Sequence, residues 1–101
     1  MENVSRVTCI NNGGFVQEFR VCWDGGCSRW SGNYPNPQSR QINLRDYNLP
    51  EGMEVWIEVS AFWGKKKQAW ERVPYSSKSA DAAVYRTTGT IWSVTVKLES
   101  Y

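Results

Sequence analysis

Apolar residues recur at every second position along much of this chain. Between Glu54 and Trp63, the residues Val55, Ile57, Val59 and Ala61 alternate with Trp56, Glu58, Ser60 and Phe62. A period of two sends alternate side chains to opposite faces, which is the mark of a strand with one buried face. Phe15–Trp23 repeats the pattern through Phe15, Phe19, Val21 and Trp23, with Gln17 as the exception. Ile91–Leu98 repeats it through Trp92, Val94, Val96 and Leu98. Val4–Asn11, Cys27–Ser31, Ser39–Leu44, Lys67–Tyr75 and Asp81–Thr88 are further predicted strands. Asn12-Gly13-Gly14 and Asp24-Gly25-Gly26 are hairpin signals, because these residues accept positive φ. Pro35 and Pro37 make 32–38 an irregular loop, since proline gives a central strand no amide donor.

About eight short strands separated by frequent turns predict an all-β fold. A lone sheet would leave one apolar face wet, so two layers are required. The expected architecture is a small antiparallel β-sandwich, Greek-key or jelly-roll-like, with residues 1–101 as one domain. Helical spacing is absent beyond a turn's length near 79–83.

Side chains also suggest a register for the hairpin through Gly64. Pairing Trp63 with Lys67 sets Ala61 opposite Ala69, Ile57 opposite Val73, Glu58 opposite Arg72 and Ser60 opposite Trp70. A shift of one residue sets Glu58 against Glu71 and mixes the two faces. The preferred register has one flaw, Glu71 on the face of Val59. Its outward face collects Trp56, Phe62 and Trp70 beside Glu58, Ser60, Gln68 and Arg72.

Composition gives that face its interest. Six Trp occur in 101 residues, and a Trp needs either a core to pack or a surface to serve. A pyranose ring offers C–H groups to an aromatic plane and hydroxyls to polar neighbours. Trp56, Trp70 and Phe62 are the candidate stacking residues, and Arg72 and Glu58 the orienting ones. A second candidate region runs from Trp30 to Asn36, with Trp30, Asn33 and Tyr34 as its binding residues and Tyr34 held at the surface. Two competing readings are a loop or subunit interface over the aromatic face, and ordinary turn chemistry in 30–36.

Charge and the missing residue types narrow the chemistry. A net charge of +2 without a basic stripe argues against a nucleic-acid partner. The Lys65-Lys66-Lys67 run suits a solvated hairpin tip as well as a phosphate contact. There is no His, which removes the usual general base and any Ser-His-Asp or Cys-His site. Three Cys form a poor zinc site, and the ten acids show no paired constellation. No catalytic residue, metal or cofactor is therefore expected. The turn at Asp24-Gly25 places Cys22 opposite Cys27, where a disulfide is geometrically allowed. The N-terminus lacks the pattern of a signal peptide, which favours reduced thiols and a cytoplasmic protein as written. Export without a signal peptide, or through a removed leader, stays open. No apolar run approaches the ~20 residues of a transmembrane helix.

The expectation is a lectin-like carbohydrate-binding protein whose partners are glycans or glycoproteins. Shallow sites bind weakly, so a homo-oligomer would supply multivalency. The alternative is a protein-interaction or membrane-surface-binding module, toxin-like or an inhibitor domain, in which aromatics meet protein or lipid headgroups.

Overall fold

A computed structural model describes residues 3–101. Nine strands form among them: β1 Arg6–Asn11, β2 Gln17–Trp23, β3 Gly26–Cys27, β4 Ser39–Asn43, β5 Glu54–Ala61, β6 Lys66–Gln68, β7 Val73–Pro74, β8 Ala82–Thr90 and β9 Ser93–Ser100. One 3-10 turn, Leu44–Tyr47, is capped by Asn43, whose side chain accepts from the Arg45 amide. The strands form two sheets, ordered β4-β1-β8-β9 and β3-β2-β5-β6, with β7 also paired to β5. The fold is the all-β sandwich that the alternation predicts.

The pairing is not antiparallel throughout. β1 and β8 run parallel, with Arg6 opposite Ala82 and Asn11 opposite Thr87. The lacing before β8 explains this. Val4 donates to the Pro74 carbonyl and accepts from Ser76, so the chain leaving β7 is tied to the start of β1. Loop 75–81 then delivers β8 beside β1 in the same direction.

Alternation fixes what lies between the sheets. β1 contributes Val7 and Cys9, β2 Phe19 and Val21, β5 Val55, Ile57 and Val59, and β8 Ala83 and Tyr85, all buried. Gln17 breaks the apolar pattern and is also fully buried. Its amide donates to the Tyr34 hydroxyl (2.8 Å) and accepts from Thr87 Oγ1 (2.6 Å). The Tyr34 hydroxyl donates to the Cys9 carbonyl (2.9 Å). A buried polar group is tolerable only with its hydrogen bonds made, and this network joins both sheets. It also overturns the expected exposure of Tyr34, which is 0% exposed and edge-on to Phe19. The 32–38 loop folds inward because Tyr34 exchanges backbone hydrogen bonds with Gln17.

Two more expectations are corrected here. The return strand 67–75 is split, and its register differs by four residues in β6: Glu58 faces Gln68, Val59 faces Lys67 and Ser60 faces Lys66. The chain turns earlier than expected, at 62–64, where the Gly64 amide donates to the Ala61 carbonyl. The Ala69 amide continues this register by donating to the Ile57 carbonyl, yet Val73 pairs with Val55. Four steps on one strand thus match two on the other, and Trp70, Glu71 and Arg72 bulge out of the sheet. The bulge removes the flaw of the expected register. Glu71 leaves the face of Val59, its carbonyl accepts from Tyr85 Oη and its carboxylate from the Leu98 amide. The second correction concerns the thiols: Cys22 and Cys27 are disulfide-bonded, and Cys9 is the buried free cysteine.

Candidate functional site

The outer face of the β3-β2-β5-β6 sheet carries most of the polar and aromatic candidates. Arg20 stands directly opposite Glu58 and holds its carboxylate through Nε and Nη2 at 2.9 and 2.7 Å. This corrects the expected Glu58–Arg72 pair, because β2 lies nearer to β5 there than the bulged residue 72 does. Arg72 instead lays its guanidinium over the Trp56 ring, 4.0 Å from its centre. Trp56 is further supported by Cys22, its direct partner on β2. Trp70 projects from the bulge with 88% of its surface exposed. Trp56, Trp70 and Arg72, with Lys67 and Gln68, line an open groove of about 520 Å³. Three of the predicted residues therefore meet, and Glu58 adjoins them through Gln68 (3.5 Å).

The other candidates lie elsewhere. Trp30 sits on the far side of the Arg20–Glu58 pair, covered by Arg20 at 4.4 Å and Lys66 at 5.6 Å. Trp30 also borders a polar cleft of about 420 Å³ with Ser31, Gln41, Asp46 and Tyr47. Asn33 is exposed and borders neither space. Tyr34 is in the core. Phe62, expected on the outer sheet face, belongs to the β5–β6 turn.

That turn is part of a second constellation. Three connections meet at one end of the sandwich: 12–16, 62–65 and 89–93. The Phe62 amide donates to the Val16 carbonyl (2.7 Å), and the Gly14 amide to the Gly89 carbonyl (2.9 Å). Gly64 packs so closely on the β8–β9 turn that a Cβ there would lie 2.8 Å from the Ile91 carbonyl oxygen. The end thus assembled is apolar and open. Trp63 is 85% exposed, Trp92 82%, Phe62 51% and Val16 38%. The Phe62 and Trp63 rings stand 5.6 Å apart. Trp63 has φ of +68°, where a residue bearing a Cβ is strained. Lys65, Lys66 and Lys67 follow at once, and with Trp92 and Ser93 they frame a hollow of about 200 Å³.

Trp63 and Trp92 are the functional candidates that pattern reading missed. Alternation reads Trp63 as the end of the 54–63 strand and Trp92 as sharing the face of Val94, whereas the structure puts both in turns and leaves both exposed. The available signal was the nearness of each to a turn glycine, Gly64 or Gly89. Among the described residues, no group of three or more His, Cys, Asp and Glu side chains gathers to hold a metal, and no helix is long and apolar enough to cross a membrane.

No protein-family model matches the chain, and no curated protein matches it. Solved structures do share its fold. A non-hemolytic pneumolysin from Streptococcus pneumoniae strain ST306 is 9% identical with a TM-score of 0.53, the match covering 96% of this chain and 23% of that one. Listeriolysin O is 13% identical at a TM-score of 0.50, covering 96% and 22%. A trapped toxin is 14% identical at 0.52, covering 96% and 24%. The chain therefore spans about a quarter of the length of these structures, and at such identities the likeness is one of fold.

Proposed function

We propose that this domain docks on a membrane surface through the aromatic end formed by Val16, Phe62, Trp63 and Trp92. The observation that carries the reading is the exposure of two tryptophans, each above 80%, on adjoining turns. Leaving such area in water is unfavourable, and an open apolar patch marks a surface that meets something. Trp suits the boundary between headgroups and acyl chains, because its ring is apolar and its N–H is polar. A sandwich presents this end on rigid hairpins, so little ordering is required on docking. The fold shared with parts of a pneumolysin, listeriolysin O and a toxin supports this reading over the carbohydrate one. The test is sedimentation with phosphatidylcholine vesicles. Interfacial burial is worth roughly 1–2 kcal/mol per Trp, so Trp63→Ala with Trp92→Ala should weaken partition on the order of a hundredfold. Unchanged partition, with the fold intact by circular dichroism, would refute the reading.

One observation favours a second reading. The groove between Trp56 and Trp70 sets an exposed indole beside Arg72 and Gln68, which fits carbohydrate binding. A shallow site of this kind gains strength from a homo-oligomer. A glycan array tests it, with Trp70→Ala expected to abolish hits and light scattering to show whether particle mass changes. An array without hits at high valency removes this reading and leaves the first untouched.

A further inference from the structure

The membrane-facing end has a one-sided charge as well as an apolar surface. The four segments that converge there, 12–16, 34–38, 61–67 and 88–94, hold Lys65, Lys66 and Lys67 and no Asp or Glu, and the first acid along the strands is Glu18, level with Lys66 across Ser60. The opposite end is built from 23–27, 43–54 and 75–82. It holds Asp24, Asp46, Glu51, Glu54 and Asp81 against Arg45 and Lys78 only. A net charge of +2 for the whole chain hides this separation. None of the three lysines is in an ion pair within 4 Å among the described residues, since the two such pairs are Arg20–Glu58 and Arg86–Glu99.

Position gives these lysines a role. Lys65 follows the turn that carries Trp63, and Lys66 and Lys67 begin β6. Lys67 is four residues from Trp63, so at ~3.3 Å per residue all three lie within about 13 Å of the ring's own backbone. With the Trp63 and Trp92 rings at headgroup depth, the Lys65 ammonium is nearest the plane of the lipid phosphates, and Lys66 reaches it by swinging its flexible side chain off the Trp30 ring, 5.6 Å away. The hollow they frame is lined by Trp92 and Ser93 as well, which brings an aromatic ring and a hydroxyl to the same space as the cations.

We infer that this end selects anionic phospholipid, with Lys65, Lys66 and Lys67 taking the headgroup phosphates while Trp63 and Trp92 seat in the interface. The inference rests on the membrane reading above. The acidic opposite end turns the domain so that the lysines face the negative surface, because a charge separation of this kind is oriented by the membrane field before contact.

Vesicle partition separates the two claims. The probes are neutral phosphatidylcholine vesicles and vesicles in which a third of the lipid is phosphatidylserine. A basic residue near an anionic surface is worth roughly fivefold in partition, so the three together are worth on the order of a hundredfold. The parent protein should therefore prefer the anionic vesicles by about that factor, and lose the preference in high salt. Lys65→Gln/Lys66→Gln/Lys67→Gln should bring partition onto anionic vesicles down to the neutral value and leave the neutral value unchanged. Lys78→Gln, at the far end, should leave both unchanged. Trp63→Ala/Trp92→Ala should lower both. Equal partition of the parent onto the two vesicles overturns the headgroup inference while the membrane reading stands. Failure of the parent to bind either vesicle overturns both. Full competition by millimolar inorganic phosphate, at constant ionic strength, would show a free-phosphate pocket and overturn the lipid assignment.

Discussion

Gln17 and Cys9 show how single buried groups tie this sandwich together. Removing the Tyr34 hydroxyl by Tyr34→Phe takes that donor from the Cys9 carbonyl and leaves the Gln17 amide nitrogen only its longer contact with Cys9 Sγ (3.5 Å). An orphaned buried polar group costs about 1–3 kcal/mol, so urea unfolding should shift by that amount without loss of β structure. Cys9 offers a pH readout of the same region. Burial pushes its thiol up from 9.0 to about 11, against the smaller opposing effect of its hydrogen bonds to Tyr34 and Gln17. A raised pKa means that the unfolded thiol ionises first. The stabilisation is complete below pH 9 and is lost as pH climbs from 9 to about 11, amounting to roughly 3 kcal/mol. Tyr34 and Tyr85 are also raised by burial and add their own loss from pH 10 upward. Cys9→Ala should therefore flatten stability between pH 9 and 10 in alkaline denaturation, and an unchanged profile would contradict the burial argument. Gln17 was legible in the sequence as an exception to alternation, but its partners were not. Tyr34 and Thr87 lie 17 and 70 residues away, and no local pattern carries such a pairing.

At the level of elements, the strands were readable and the irregular pieces between them were not. Val55, Ile57, Val59 and Ala61 announce β5 because burial on one face demands period two. The turn after β5 escaped the same logic. Trp63 occupies positive φ, a conformation that sequence rules assign to Gly or Asn, so Gly64 drew the expected turn too far along. The bulge at 70–72 likewise answers to a distant need, the bonding of Glu71 to Tyr85 and Leu98. The strained turn yields a prediction that separates stability from binding. Trp63→Gly relieves about 1 kcal/mol of backbone strain and should hold or raise the melting temperature while vesicle partition falls. A lower melting temperature would mean that the Trp63 ring supports the fold through Phe62. The disulfide belongs to this scale too, since β3 has only two residues and one bridge to hold it on β2. Closing so short a loop is worth about 2 kcal/mol, so reduction should lower stability by that amount and leave the sandwich folded.

The whole molecule sets its two candidate surfaces apart, with β5 running between them. Trp56 and the Arg72 that covers it lie on the outer sheet face, and Phe62 and Trp63 lie beyond the end of β5. In the sequence Trp56, Phe62 and Trp70 formed one stripe, because alternation alone cannot say where a strand stops. The charge separation between the ends was hidden for a related reason: acids distant in sequence, such as Asp24, Asp46 and Asp81, come to one end only after the sheets pack. This division predicts how the domain lies on a bilayer. Docking by the end places Trp63 and Trp92 in the interface and keeps Trp70, on the side of the sandwich, in water. Docking by the outer sheet face would do the reverse, burying Trp70 and leaving Trp92 wet. Bound protein should therefore show blue-shifted emission quenched by brominated lipid. The double variant Trp63→Phe/Trp92→Phe keeps much of the apolar area and hence the binding, and it should lose most of that quenching. Trp70→Phe should lose little of it, and aqueous iodide should still quench Trp70 in the bound double variant. If instead Trp70→Phe abolishes the lipid quenching while the double replacement spares it, the outer sheet face is the one that meets the membrane. The groove beside Arg72 would then be a lipid contact, and the aromatic end would be left for some other partner.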